Sequence, residues 1–356
     1  MAFLKVENVK ISGVSTCVPA NIEINEKLPF YKSVEEARQV VEAIGIEHRH
    51  ISPKHIAVSD LLIGAANSLL DSLGWEKDSL DLLAVVTQTP DYVNHPTSFV
   101  IHQSLGLDEN TMCLDMYHGC PGWVVGLSSV TTMMTTGCIK RALLLDGDVI
   151  SKDQNASNRE ERPLFGDAGT ATALEYLEGV APIYFNIGSK SEDGMALART
   201  QGGYRSPFTM ETLKIELDRK AGLLTGSDSI DSMDSMDVFS FAITKAPKAM
   251  KRLCANFDLP LADIDKLVLH QANKMIVDAI AKRMKVTEEK VPLSLRHYGN
   301  TTSASIPVTL STGQTAVDYR TSHLKTLACG FGTGLSWGAV YFETSNLVIP
   351  EVVTVK

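Results

Sequence analysis

The six cysteines, Cys17, Cys113, Cys120, Cys138, Cys254 and Cys329, stand singly, with no Cys-x-x-Cys pair among them. That argues against a disulfide framework and against a thiolate zinc site, and it leaves most of them as buried thiols. Long apolar runs are also missing: Ser, Thr and Gly interrupt even the segment from Val124 to Leu145. No stretch reaches the roughly 18 apolar residues that a membrane span requires. The start, MAFLKVENVK, lacks a basic region followed by an apolar core, so it does not read as a secretory signal and a cytoplasmic protein is expected. Positive charge is in deficit, 33 Lys and Arg against 42 Asp and Glu, a formal net charge of -9. Such a balance opposes nucleic-acid binding, which needs a net basic face. Two local basic stretches remain: ITKAPKAMKR, with Lys245, Lys248, Lys251 and Arg252, and KMIVDAIAKRMK, with Lys274, Lys282, Arg283 and Lys285. Each reads either as a solvated helix face or as a docking site for an acidic partner.

What is present is ordinary globular material, 44% hydrophobic and 21% charged over 356 residues, enough for two core-bearing halves. Strand-like segments, LLAVVT (82–87), RALLLDG (141–147), TATALEYL (170–177), KLVLH (266–270), KTLACG (325–330) and GAVYFE (338–343), alternate with helical ones. The helical periodicity covers Ser59 to Leu73, Pro121 to Thr136, Phe239 to Phe257 and Asn273 to Met284, so the class is α/β.

The pattern repeats. LLIGAANSLLDSLGW before LDLLAVVTQTPD matches AITKAPKAMKRLCANF before KLVLHQAN. DMYHGC before PGWVVGLSSV matches RHYGN before TTSASIPVTL, and FGDAGTATALEYLE matches GFGTGLSWGAVYFE. Three matches in one order indicate a duplicated unit, residues 1–178 and 179–356, with the boundary near residue 178. Cys120 and Asn300 then take equivalent places, each at a helix start, and His270 ends a strand, where α/β sheets bind ligands. Gly119 and Pro121 make an elbow around Cys120. A thiol facing the free N–H groups of a helix start is expected to have a lowered pKa. Taken singly, Cys120 also reads as an inert buried thiol, His270 as a structural residue and Asn300 as a helix cap.

With GIEHRHI (45–51), the loop of Thr89 and Pro96, the GC of 119–120, FGDAG (165–169), MDVFSFA (236–242), HQAN (270–273), YGNTTSASIP (298–307) and GTGLSWGA (332–339) in this order, the chain resembles the type III β-ketoacyl-ACP synthases of the thiolase superfamily. The resemblance implies a five-layered αβαβα fold of two pseudo-symmetric repeats and a homodimer. It implies that Cys120 carries an acyl group, with oxyanion donors on Cys120 and on the Gly332, Thr333, Gly334 turn. His270 and Asn300 would hold the enolate of a decarboxylating malonyl thioester, and the product would be a 3-oxoacyl thioester. Substrates would be thioesters of acyl carrier protein or CoA; no cofactor and no metal are called for. Substrate contacts are expected from Thr89, Tyr92, His95, His118 and Asn273, with the loop Asp91 to Thr97 reaching across the dimer.

Departures point to a specialised member. Positions where relatives clamp CoA adenine with Trp and Arg fall near Gln39 and Ala43, so a CoA primer is disfavoured. Thr333 stands in a turn usually all glycine, and His118 replaces a small residue. Cations usual near Ser240 and Met275 are absent, leaving Lys274, Lys282 or Arg283 for carrier docking. Three other readings stay open: acyl transfer to an oxygen or nitrogen acceptor, a hydroxymethylglutaryl-CoA synthase, disfavoured because Thr89 stands where its catalytic Glu would, and an inactive partner subunit.

Overall fold

A computed structural model describes residues 2–153, 158–220, 231–233 and 235–356. The strands that build the molecule are, in chain order, β1 (Ala2–Val6), β2 (Val9–Pro19), β3 (Leu82–Val86), β4 (Met112–Met116), β5 (Arg141–Asp148), β6 (Ala168–Tyr176), β7 (Ile183–Ser189), β8 (Lys266–Leu269), β9 (His323–Gly332), β10 (Ser336–Ser345) and β11 (Val353–Val355). The helices that cover them are α1 (Val58–Leu73), α2 (Thr97–Leu105), α3 (Gly122–Met134), α4 (Ser235–Asn256), α5 (Lys274–Met284) and α6 (Ser305–Leu310).

One sheet has the order β11-β2-β6-β5-β3-β4 and the other β1-β7-β10-β9-β8. In each, a parallel pair joins an antiparallel run: β3 lies parallel to β5 and β5 antiparallel to β6, while β8 lies parallel to β9 and β9 antiparallel to β10. The two sheets therefore repeat one topology. The exceptions are the terminal strands, which are exchanged: β1 adds to the second sheet beside β7, and β11 to the first beside β2.

Burial on both faces explains why these strands are unbroken hydrophobic runs rather than alternating ones. On β5, Ala142 and Leu144 join a core between the sheets, whereas Leu143 and Leu145 face a second core under α1 and α2. The central core takes Trp123, Val124, Leu127 and Val130 from α3 and Ile306 and Leu310 from α6. A third core packs α4 and α5 on the outer face of the second sheet. Helices, sheet, helices, sheet, helices give the five layers. Met134 is fully buried, Met133 packs on the central core, and Trp123 donates its indole N–H to Thr172 Oγ1 at 3.0 Å. Among the described residues, no helix is long and apolar enough to cross a membrane.

Candidate active site

Strand β4 delivers the chain to Cys120 and helix α3 takes it away. Pro121 is the N-cap, one place before the first helical residue, and Gly122 N–H donates to Gly119 O at 2.7 Å to close the turn. Glycine is required at 119 for room rather than for backbone angle: a Cβ there would lie 2.8 Å from Thr333 Oγ1. A Cβ at Gly332 would lie 2.9 Å from Cys120 Sγ, so the β9–β10 turn presses directly on the thiol.

The thiol is 7% exposed. Burial, followed by the Asp148 carboxylate, pushes its pKa up to about 12, against the pull of the backbone N–H groups of Cys120 and Thr333. This reverses the lowered pKa expected from the helix start. Two N–H groups cannot offset removal of the thiolate from water beside a second negative charge. Both still bear on Sγ, where an oxyanion formed on an attached carbonyl would need donors.

His270 leaves the end of β8, its N–H donating to Cys329 O at 2.9 Å, and its side chain is 2% exposed. Nδ1 lies 2.7 Å from Ser305 Oγ, which also accepts the Gln271 N–H at 3.4 Å. The Ser305 hydroxyl can donate to Nδ1 or accept from it, so this contact orients the ring in either tautomer. Burial lowers the His270 pKa to about 3, with the Thr302 backbone pulling the other way, so the ring is neutral at physiological pH.

A depressed folded-state pKa means that the unfolded chain binds the extra proton first as pH falls. His270 therefore contributes stability that is complete above its unfolded pKa of about 6.5 and is lost progressively toward pH 3. Urea unfolding of the wild type is expected to lose up to about 1.4 kcal/mol per pH unit in that window, with a shallower slope in His270→Gln. Equal slopes in the two proteins would remove His270 as the source.

Asn300 follows the helical turn Leu295–Tyr298 and is 5% exposed. Its Oδ1 accepts Thr302 N–H at 2.9 Å, which leaves the amide NH2 as a donor with no protein hydrogen bond among the described residues. Thr302 has φ +52, an uncommon conformation for a β-branched residue and one that costs free energy. Its Oγ1 donates to Asp148, and the same carboxylate accepts Gln88 N–H at 2.8 Å, Thr87 Oγ1 at 3.0 Å and Thr89 Oγ1 at 3.1 Å. Asp148 is thus a buried hub that ties the strand ends of the first sheet to the turn bearing Asn300. Asp146, two residues earlier on β5, is fully buried, with the Ser303 hydroxyl bearing on its carboxylate. Burial raises its pKa well above the usual carboxylate range, against the pull of the Ser303 hydroxyl and reinforced by Asp148.

A cavity of about 250 Å³ opens onto Cys120, lined also by Gln88, Thr89, Phe165, Thr302 and Thr333. Arg199 lines it as well, paired with Asp153 and with Glu216. His270 and Asn300 are not among its lining residues; Thr302, which does line it, is bonded through its backbone to both of them.

Residues 114–191 match the family described as 3-oxoacyl-[acyl-carrier-protein (ACP)] synthase III, and residues 254–344 match its C-terminal region. A β-ketoacyl-[acyl-carrier-protein] synthase III of Symbiobacterium thermophilum is 31% identical over 339 residues, 95% of this chain and 98% of the relative. The solved 3-oxoacyl-(acyl-carrier protein) synthase of Burkholderia xenovorans LB400 superposes with a TM-score of 0.90 at 32% identity, over 99% of both chains. The chain belongs to the 3-oxoacyl-ACP synthase III family. It has the family's thiolase-type fold, and the activity that comes with the family is that of a condensing transferase.

In this synthase III chain the remaining predicted contacts separate. Thr89 lines the cavity and also accepts Val149 N–H at 2.9 Å. Tyr92 and His95 are exposed on their loop and are not among the residues lining the cavity. His118 is half-buried off the cavity wall, its Nδ1 without a hydrogen-bond partner among the described residues, and burial lowers its pKa against the pull of the Gly119 backbone. Asn273 caps α5, accepting Ile276 N–H at 2.9 Å. Gly334 sits at φ +131 in the turn after β9, a conformation that favours glycine, whereas Thr333 turns toward the cavity. Of the basic residues, Lys274 pairs with Asp278, while Arg283 lines a groove between α4 and α5 with Lys248, Lys251 and Arg252. Lys282 is exposed outside that groove.

Proposed function

We propose that Cys120 takes an acyl group from a carrier-protein thioester and that His270 and Asn300 serve the decarboxylation of a malonyl thioester. The observation that carries this is the buried thiol facing the Cys120 and Thr333 N–H groups at the floor of the cavity. Sγ adds to the thioester carbonyl, the oxyanion rests on those two N–H groups, and the carrier thiol leaves with the proton from Sγ. A neutral thiol suits this exchange, because its proton goes to the leaving sulfur. The malonyl thioester then loses carbon dioxide. The enolate oxygen is held by His270 Nε2–H and the Asn300 amide, and the enolate carbon attacks the acyl carbonyl. Cys120 leaves as thiolate and regains a proton, releasing a 3-oxoacyl thioester.

Other features support the choice of substrate. A cavity of about 250 Å³ is below the roughly 300–1,000 Å³ of pockets for drug-sized ligands, so it suits a short acyl group rather than a whole CoA. Gln39 and Ala43 lie exposed on helix Val34–Ile44, the Gln39 amide bonded to Glu35. Neither offers a ring or a cation to stack on adenine. The groove of Lys248, Lys251, Arg252 and Arg283 is the surface we assign to an acidic carrier protein. The open edge of β4, together with exposed Tyr92, Val93 and Phe99 on the loop after β3 and the start of α2, is the surface assigned to a homodimer. Residues 1–178 then supply the nucleophile and residues 179–356 the enolate donors.

The test is intact-mass analysis with short acyl-carrier and acyl-CoA primers, followed by malonyl-carrier thioester. Expected are an acyl adduct that forms about tenfold or more faster from the carrier thioester, then carbon dioxide and a 3-oxo product. Efficient acylation by acyl-CoA would sink the carrier preference. An adduct discharged without carbon dioxide release would sink the condensation and favour transfer to a heteroatom.

A further inference from the structure

Glu47, His48 and His297 lie together away from the catalytic cavity, each with a ligand-capable atom within 4.8 Å of the others. The two imidazole ring centres are 4.9 Å apart. We propose that these three side chains form a binding site for a borderline divalent transition metal of the Zn²⁺ class, clamping the turn that leads into Asn300.

Two imidazoles and one carboxylate are a donor set for zinc, nickel or copper, not for calcium or magnesium, which take oxygen ligands. Zn–ligand bonds of about 2.0–2.2 Å in a tetrahedral site put donor atoms roughly 3.3 Å apart. The three side chains must therefore close by no more than about 1.5 Å from the 4.8 Å limit. His297 is exposed and Glu47 and His48 are half-exposed, so rotation about their side-chain bonds achieves this. Three protein ligands leave a fourth position for water.

The backbone that carries the ligands is already fixed. Glu47 N–H donates to Arg296 O at 2.9 Å, tying the segment before His48 to the turn that holds His297. Next along the chain, Arg49 is wholly buried, bonded to Asn25 Oδ1 at 2.8 Å and to Phe165 O at 2.9 Å, and His50 stacks on Tyr298. Arg296 competes for Glu47 through an exposed ion pair of 2.7 Å, an interaction that exchanges readily. A bound metal would cross-link the His48–His50 strand to Leu295–Tyr298, directly ahead of Gly299 and Asn300.

The experiment is equilibrium dialysis of Zn²⁺ against the full chain carrying Cys138→Ser, which removes an exposed thiol from competition. One tight equivalent is expected, with affinity at least about tenfold weaker in His48→Gln and in His297→Gln. Zn²⁺ should raise the melting temperature of the parent and not of these variants. Should His48→Gln fail to fold, Glu47→Gln and His297→Gln carry the comparison. Absence of a tight equivalent in the parent, or uptake undiminished by the substitutions, overturns the site. Neither outcome touches the condensing reaction, whose residues the variants leave intact.

Discussion

Cys120→Ala is expected to fold, to give no acyl adduct with any primer and to lose condensation by a factor on the order of 10⁴ or more, as when an enzyme loses a covalent nucleophile. The fold should survive because the substitution removes one atom from a site whose shape is set by Gly332 and Gly119 packing against the elbow. Intact-mass spectrometry reads the adduct and a melting curve reads the fold. An adduct that persists in Cys120→Ala would move the chemistry to another thiol. Cys138 is the exposed alternative, and Cys17, Cys254 and Cys329 are buried.

The second large effect belongs to the other half of the chain. His270→Ala and Asn300→Ala should each slow decarboxylation by about 10²–10³-fold, the usual cost of removing one preorganised donor, while acylation changes by less than about tenfold. The asymmetry follows from the geometry. The acylation oxyanion rests on the N–H groups of Cys120 and Thr333, which neither substitution touches. Asn300→Ala also removes the acceptor for Thr302 N–H, so a positional effect has to be separated from a donor effect. Asn300→Asp keeps an acceptor oxygen for that N–H and lacks the NH2. It should therefore decarboxylate as poorly as Asn300→Ala. Substantial decarboxylation by Asn300→Asp, measured as released carbon dioxide, would leave Asn300 as a positioning residue only.

Much of the architecture was legible because its strongest signals are local. Leu82–Val86 and Arg141–Asp148 are apolar runs buried on both faces, and Val58–Leu73 and Lys274–Met284 carry helical periodicity. Strand β2 was not read, since VKISGVSTCVP mixes small and polar residues and its burial comes from α1, α6 and two neighbouring strands. Cys120, His270 and Asn300 were named from motif order. The residues that hold them were not: Ser305 bonded to His270, Thr302 bonded to Asn300, and Asp148 bonded to Thr302. One signal was available, a pair of aspartates interrupting an otherwise apolar strand, where charge is costly unless it has a task. The direction of the Cys120 shift was misread for a related reason: sequence displays the helix start but not the depth at which it is buried. The basic groove escaped too, because Arg283 meets Lys248 and Lys251 only once α4 and α5 pack together.

The exchanged terminal strands make completion of each sheet depend on the remote end of the polypeptide. During synthesis β1 has no edge to join until Ile183–Ser189 has emerged, and β2 stays an uncovered margin until Val353–Val355 has been made. Neither sheet can reach its full width from its own half of the message. Severing the chain between β6 and β7 would therefore give two fragments that each expose an unpaired edge, a template for aggregation, and that regain solubility only by annealing to one another.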